Sequence, residues 1–355
     1  MHEKLIEKIF KIYNEIKKGI VKNMKKIISS LIMTALFLGT CGSLLAEEKK
    51  IVKILISKSA AHPALDSTTE GVIDAIKAGG YREGENLEIR IENAQGNPAL
   101  AAQIASKFVN QSADVIVAIA TVSAQSFLKY AQEGRAKLAF STVTDPVASS
   151  VVSSLENPGN STSGASNFVD LKPQIRLFKR IQPSLKKLGI IYNPGEINGV
   201  VIVKKLEEIA AEFDIEIVKQ TISKTADVPQ AASGLCERCD AIFISNDNTA
   251  LAGFQSIVKA CMEKKIPLYV SDTDDVEHGA VAALGPNQFK VGQKTGRLVL
   301  RALEGEDLGA IPVEFPNEED LELFLNLDAA KNVNLDIPED IIKSATKTFE
   351  KPVAK

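Results

Sequence analysis

The chain of 355 residues has no tryptophan, only three histidines and four cysteines, and few other aromatic side chains, with five tyrosines and fourteen phenylalanines. So sparse a set argues against an aromatic-paved binding surface and against a multi-metal centre. Only Cys236 and Cys239 stand at a spacing that redox or metal motifs use, and two ligands fall short of the four that a structural zinc ion requires. No metal and no cofactor are therefore expected. A dominant charge is missing too: the net charge is -3 and the basic residues are scattered through the body of the chain, which removes the electrostatic case for nucleic acid. No glycine-rich phosphate loop follows the first strand, where Ser57-Lys-Ser-Ala-Ala-His62 stands, and neither G-x-S-x-G nor H-E-x-x-H occurs. These absences weigh against an enzyme, although sequence alone leaves open a hydrolytic site built on His62 or His278.

A long apolar run is also lacking. The longest, Ile27 to Leu38, has a dozen residues, where a membrane-spanning helix needs about 20. Lys25-Lys26 precedes it, and Gly39-Thr40-Cys41-Gly42 and small residues up to Ala46 follow. Basic, apolar and small segments in that order read as a secretory signal. Residues 1–46 are thus expected to be an N-terminal extension and signal peptide, and the protein to be exported, either periplasmic or lipid-anchored to a bacterial membrane. Leu38-Gly39-Thr40-Cys41 resembles a lipobox with Cys41 as lipid acceptor, whereas cleavage after Ala46 gives a soluble product. Met24 opens the signal cleanly. Residues 1–23 are lysine-rich, with Leu5, Ile9, Phe10, Tyr13, Ile16 and Ile20 at helical spacing, and read either as a stretch upstream of the true start or as an amphipathic surface helix.

What the rest of the chain does have is 45% apolar and 25% charged residues, enough for a sizeable core and two lobes. From Ile51 short β-branched runs alternate with longer segments whose apolar residues recur every three or four positions. That alternation predicts an α/β fold of doubly wound parallel sheets. An internal echo strengthens it: Asp114-Val-Ile-Val-Ala-Ile-Ala-Thr121-Val-Ser-Ala-Gln and Asp240-Ala-Ile-Phe-Ile-Ser-Asn-Asp247-Asn-Thr-Ala-Leu share one pattern, and each is followed by a short strand ending in Ser or Thr and Asp, at Asp145 and Asp272. Ligands of open parallel sheets lie beyond the carboxyl ends of the strands. Thr121, Ser123 and the amides of Ser123 and Ala124 at a helix N-terminus suit a ligand carboxylate, and Asp247 suits an ammonium. Plain helix capping explains the same residue types equally well.

Several stretches, taken together, resemble the tryptophan/tyrosine-type ABC transporter substrate-binding proteins. They are Ser59-Ala-Ala-His62-Pro63-Ala-Leu65-Asp66, Gly80-Tyr81-Arg-Glu-Gly84-Glu-Asn86, Ala94-Gln95-Gly96, Ala120-Thr121-Val-Ser-Ala124-Gln125, Val143-Thr144-Asp145-Pro146-Val147, Tyr192-Asn193-Pro194-Gly195-Glu196, Asp247-Asn248 and Asn326-Leu-Asp-Ala-Ala330. The resemblance implies a type I periplasmic-binding fold, two lobes joined by a three-strand hinge: lobe 1 over 51–163 plus 280–312, lobe 2 over 164–279 plus 313–350, with 157–164 as the first crossover. It implies a monomeric protein that captures a small solute, expected to be an amino acid, and passes it to a membrane permease. It also implies that Thr121, Ser123, Ala124 and Gln125 hold the ligand carboxylate, that Asp247 pairs with the amine, and that Ser59, His62, Thr144, Asp145, Asn193 and Asp272 complete the lining. Val122 in place of a proline and the acidic run Ser271-Asp-Thr-Asp-Asp-Val-Glu-His278 depart from the pattern.

A sugar, nucleoside or other small solute is the alternative ligand, an exported hydrolase the alternative class, and a ligand-sensing repressor lacks its DNA-binding helices in this N-terminus. Cys236 and Cys239 read either as a disulfide or as two free thiols. N-terminal sequencing of the precursor tests the start: the expected first residue is Met24, and any peptide from residues 1–23 refutes it.

Overall fold

The computed structural model describes residues 2–41, with the side chains of 5–29, and residues 51–350. Two compact units result, 1–50 and 51–355. In the first, α1 (His2–Cys41) is one helix of 40 residues, and its Leu5, Ile9, Phe10, Tyr13, Ile16 and Ile20 are exposed. No described helix is long and apolar enough to cross a membrane. The side chain of Cys41 and the cut after Ala46 lie outside the described residues.

The second unit alternates strands and helices as the apolar spacing predicts. Its first lobe contains β1 (Val52–Lys58), α2 (Pro63–Ala78), β2 (Leu87–Asn93), α3 (Pro98–Val109), β3 (Val115–Ile119), α4 (Thr121–Gln132), β4 (Leu138–Ser141) and β5 (Thr162–Ala165), all strands parallel in the order β2-β1-β3-β4-β5. The second lobe repeats the plan with α5 (Leu171–Ile181), β6 (Lys187–Tyr192), α6 (Ile197–Ala211), β7 (Glu216–Thr221), α7 (Val228–Cys236), β8 (Ala241–Ile244), α8 (Asn248–Ala252), α9 (Phe254–Lys264), β9 (Leu268–Val270) and β10 (Ala282–Pro286). Its parallel core, β7-β6-β8-β9-β10, has the strand order of the first lobe. After α10 (Gln288–Leu303), β11 (Leu321–Asn326) extends this sheet antiparallel to β10, followed by α11 (Leu327–Asn332), α12 (Glu339–Ser344) and β12 (Lys347–Phe349), which runs parallel to β11.

Helices cover both faces of each sheet, so the central strands are apolar without alternation. Every residue of β3 and of β8 is buried. Four apolar clusters follow, one for each sheet face.

Pairing corrects two of the expected boundaries. β5 pairs with β4, so the first passage between lobes follows Ala165 and does not lie in 157–164. β10 pairs with β9, so residues 280–286 belong to the second sheet. The return to the first lobe is made by α10, whose Leu298, Val299 and Ala302 join the cluster of Val72 and Ile76. The third passage runs beside the first: Ser166 N donates to Glu314 O, and Glu314 N to Gly164 O.

Glycines let α10 sit close on α2. A Cβ at Gly292 would lie 2.1 Å from the Thr68 carbonyl oxygen, and one at Gly71 2.0 Å from that of Phe289. Gly292→Ala is expected to cost about 1–3 kcal/mol by overpacking, seen as a Tm lowered by several degrees; an unchanged melt would mean that the helices have room to part.

Candidate functional site

All parallel strands of a sheet end on the same side, and here the strand-end loops of the two lobes meet across a cavity. From the first lobe come His62, Leu65, Ala120, Thr121, Thr142 and Thr144; from the second, Asn198, Asn246, Asn248, Leu251 and Asp272; Asn167 and Gln288 lie where the chain passes between lobes. The cavity encloses about 10 Å³, room for about one water. The lobes touch directly: His62 Nε2 lies 3.3 Å from Asn248 Oδ1, and Asn246 Nδ2 donates to Thr144 Oγ1 at 3.4 Å. This is a shut cleft, and a solute of several heavy atoms enters only when the lobes part.

A buried carboxylate organises the second lobe's half. Glu196, in the turn before α6, accepts from Asn248 N and Nδ2, from Thr249 N and Oγ1, and from Asn198 Nδ2. Because the amide nitrogen of Asn248 is held there, its Oδ1 is turned towards His62. Nε2 of His62 must then be the protonated nitrogen, and Nδ1 is an acceptor, buried and without a partner. Burial holds this imidazole neutral, its pKa lowered to about 4. Asn198 is fixed in the same way: its Nδ2 donates to Glu196 and to Asn246 O, and its Oδ1 is buried with no partner.

The first lobe contributes the tip of α4. Ala120, between β3 and α4, has φ 71° and ψ 162°, a conformation that glycine adopts freely and other residues only under strain. Thr142, just after β4, has φ 54°. Both line the cavity, so the strain sits where the backbone must turn its groups inward. Ala120 N donates to Ser141 O, Ser123 N to Ser59 Oγ, and Ala124 N to Ala120 O. Thr121, the first residue of α4, lines the cavity, and its Oγ1 is buried without a partner.

The acidic run closes the site. Asp272 accepts from Gln288 Nε2 at 2.6 Å, and burial, with the neighbouring Asp274 charge adding to it, pushes its carboxyl up to about 7. Burial raises Asp274, and raises Asp275 well above the usual carboxylate range. Both Asp275 oxygens and Asp274 Oδ2 are buried without partners. Among the described residues no cluster suits a metal ion.

Of the residues expected from sequence, His62, Thr121, Thr144 and Asp272 line this cavity. The others support it or lie apart. Ser59 caps α4 through Ser123 N, Ser123 Oγ donates to Ser57 O, and Ala124 is core. Gln125 Nε2 donates to Ser149 O, Asp145 accepts from Ala148 N, and Asn193 bonds Thr249 and lines an outer groove. Asp247 departs furthest from expectation: its two oxygens accept from Asn193 N and Ala250 N, so it caps α8 and ties two loops together instead of facing the cavity. The amides of Ser123 and Ala124 are likewise already bonded. Asn167, Asn198, Asn246, Asn248, Leu251 and Gln288 were missed. The asparagines flanking Asp247 were the available signal, since two uncharged amides at a strand end supply ligand contacts at no cost in charge burial.

The match to the family model described as ABC transporter substrate binding protein covers residues 53–349. A protein named tyrosine-binding protein, from Clostridioides difficile, is 35% identical over 81% of this chain and 83% of its own length. The structure of the ABC domain in complex with L-Trp from Streptococcus pneumoniae superposes with a TM-score of 0.80 at 25% identity, covering 84% of this chain and 100% of that one. A ligand-free, open substrate-binding protein with adhesive properties from Clostridium difficile is more identical, at 32%, yet reaches only 0.62, over 85% of this chain and 100% of that one. Shape thus ranks the two opposite to sequence, in keeping with the closed contacts across this cleft.

Glu196→Gln places a second set of N–H donors among five others. It is expected to cost about 1–3 kcal/mol in unsatisfied groups and to weaken ligand binding more than tenfold by freeing Asn198 and Asn248. Wild-type affinity by calorimetry would show that these amides need no such anchor.

Proposed function

The chain belongs to the ABC transporter substrate binding protein family, and from that premise we propose that it captures a free L-amino acid with an apolar, preferably aromatic, side chain outside the cytoplasm. The family is one of binding proteins, which sets aside the hydrolase reading, and its members have a small-molecule ligand and a membrane transporter as partners. The fold is the type I periplasmic-binding fold, two α/β lobes about a cleft. The N-terminal segment then serves as a signal peptide, with Cys41 as lipid acceptor or a cut after Ala46, and the protein works as a monomer.

The observation that carries the ligand class is the set of buried polar atoms without partners in the cavity. Three acceptor residues line it: His62 and Asn198, whose Nδ1 and Oδ1 have no partner, and Asp272, which accepts from Gln288 Nε2. An ammonium group has three N–H donors to match them. Thr121, with its unpartnered Oγ1, stands at the positive end of α4, an end suited to a carboxylate. Ala64, Leu65, Ala120 and Leu251 supply the apolar wall. A neutral sugar supplies no cation to offset the cost of ionising the buried Asp272, which favours the zwitterion.

Asp272 also sets a pH dependence. Its pKa rises from the usual carboxylate range in water to about 7 on burial, so the shut, unliganded form binds an extra proton between those values. Low pH therefore favours unliganded closure; above about 7 the closed form bears the cost of a buried charge unless an ammonium offsets it. A thermal-shift panel of amino acids, sugars and nucleosides tests the reading. Selective stabilisation by L-Tyr, L-Trp or L-Phe, about 2.7 kcal/mol at a hundredfold excess over Kd, is the expected result. Asp272→Asn should raise the unliganded Tm at pH 8 while weakening amino-acid binding at least tenfold. A panel responding only to sugars or nucleosides would discard the zwitterion.

A further inference from the structure

Cys236 ends α7, Cys261 sits in α9, and the two helices pack together on one face of the second sheet. Both thiols are buried and unbonded, and their Sγ atoms are 4.0 Å apart. Cys239, the partner suggested by sequence spacing, turns away: its thiol donates to Leu235 O at 3.1 Å and packs where Gly189 leaves space.

We propose that Cys236 and Cys261 are joined by a disulfide once the protein is outside the cytoplasm, a reading that rests on the export argued above. A disulfide has its sulfurs about 2.05 Å apart, so from 4.0 Å the two Sγ atoms must close by about 2 Å in all. The oxidant is itself a disulfide, such as that of an exported thiol–disulfide oxidase or of oxidised glutathione. The Cys236 thiolate attacks it, forming a mixed disulfide and releasing one thiol; the Cys261 thiolate then displaces the second. The cysteines lose two electrons and two protons, and the oxidant's disulfide ends as two thiols. The loop so closed, residues 236 to 261, carries β8 and the corner with Asn246, Asp247, Asn248 and Leu251. The bond would therefore staple much of the second lobe's half of the cavity to the helices beneath it, and would form only in an oxidising compartment.

The test uses the full chain with Cys41→Ser, unfolded and refolded in a glutathione redox buffer, then alkylated with N-ethylmaleimide in denaturant and weighed. One adduct, on Cys239, and a cross-linked peptide pair containing Cys236 and Cys261 are expected. Cys239→Ser should keep the link with no adduct, Cys261→Ser should abolish it, and reducing the Cys239→Ser protein should lower its Tm by several degrees. Three adducts, or a Cys236–Cys239 link, would overturn the proposal. So would free thiols at Cys236 and Cys261 in protein alkylated as it is collected from the exported fraction. None of these readouts involves a ligand, so a silent ligand panel and an absent disulfide are separate failures.

Discussion

Every strand of the first lobe and the first five of the second run parallel, and parallel pairing puts all their carboxyl ends on one side of each sheet. Loops that would otherwise be scattered are thereby gathered at two facing edges. Polar groups are concentrated there because backbone at a strand end has lost its ladder partners. When the edges meet, each group must find a partner in the other lobe, in its own loop or in a solute. In the cavity this accounting is incomplete at His62 Nδ1, Thr121 Oγ1 and Asn198 Oδ1.

The two halves solve the problem differently. In the second lobe one buried carboxylate, Glu196, absorbs the donors of Asn198, Asn248 and Thr249, and so presents amide oxygens and, through Asn248, the bare Nδ1 of His62. In the first lobe a strained turn at Ala120 aims a helix tip inward. Acceptors therefore come chiefly from one side and donors from the other, a division that fits a zwitterion lying across the hinge. Burial raises the carboxyls of Asp272, Asp274 and Asp275 above the usual carboxylate range, and of the three Asp272 lines the cavity.

Much of this was legible beforehand. The period-3.6 segments between β-branched runs and the echo around Asp114 and Asp240 gave the α/β alternation, and His62, Thr121, Thr144 and Asp272, read at strand ends, line one cavity. The lobe boundaries were harder. Residues 157–164 are rich in turn formers, as a crossover would be, yet the last three of them enter β5, which pairs with β4. Such pairing depends on an edge supplied by residues far away in the chain. Cys236 and Cys239 read either as a disulfide or as two free thiols; both are free, and helix packing places Cys261, far away in the chain, beside Cys236.

Alternation, apolar patterning and the parallel-sheet rule, all local or statistical properties of the chain, were enough to determine the class of fold and the end of the sheets at which the cavity lies. Which polar side chains line that cavity was decided only by tertiary structure. Capping and ligand binding call for the same residue types, and what separates them is whether a backbone amide reaches the side chain first. Asp247 is claimed by Asn193 N and Ala250 N, and Ser59 by Ser123 N, whereas Thr121, Asn198 and His62 each keep one buried atom unclaimed.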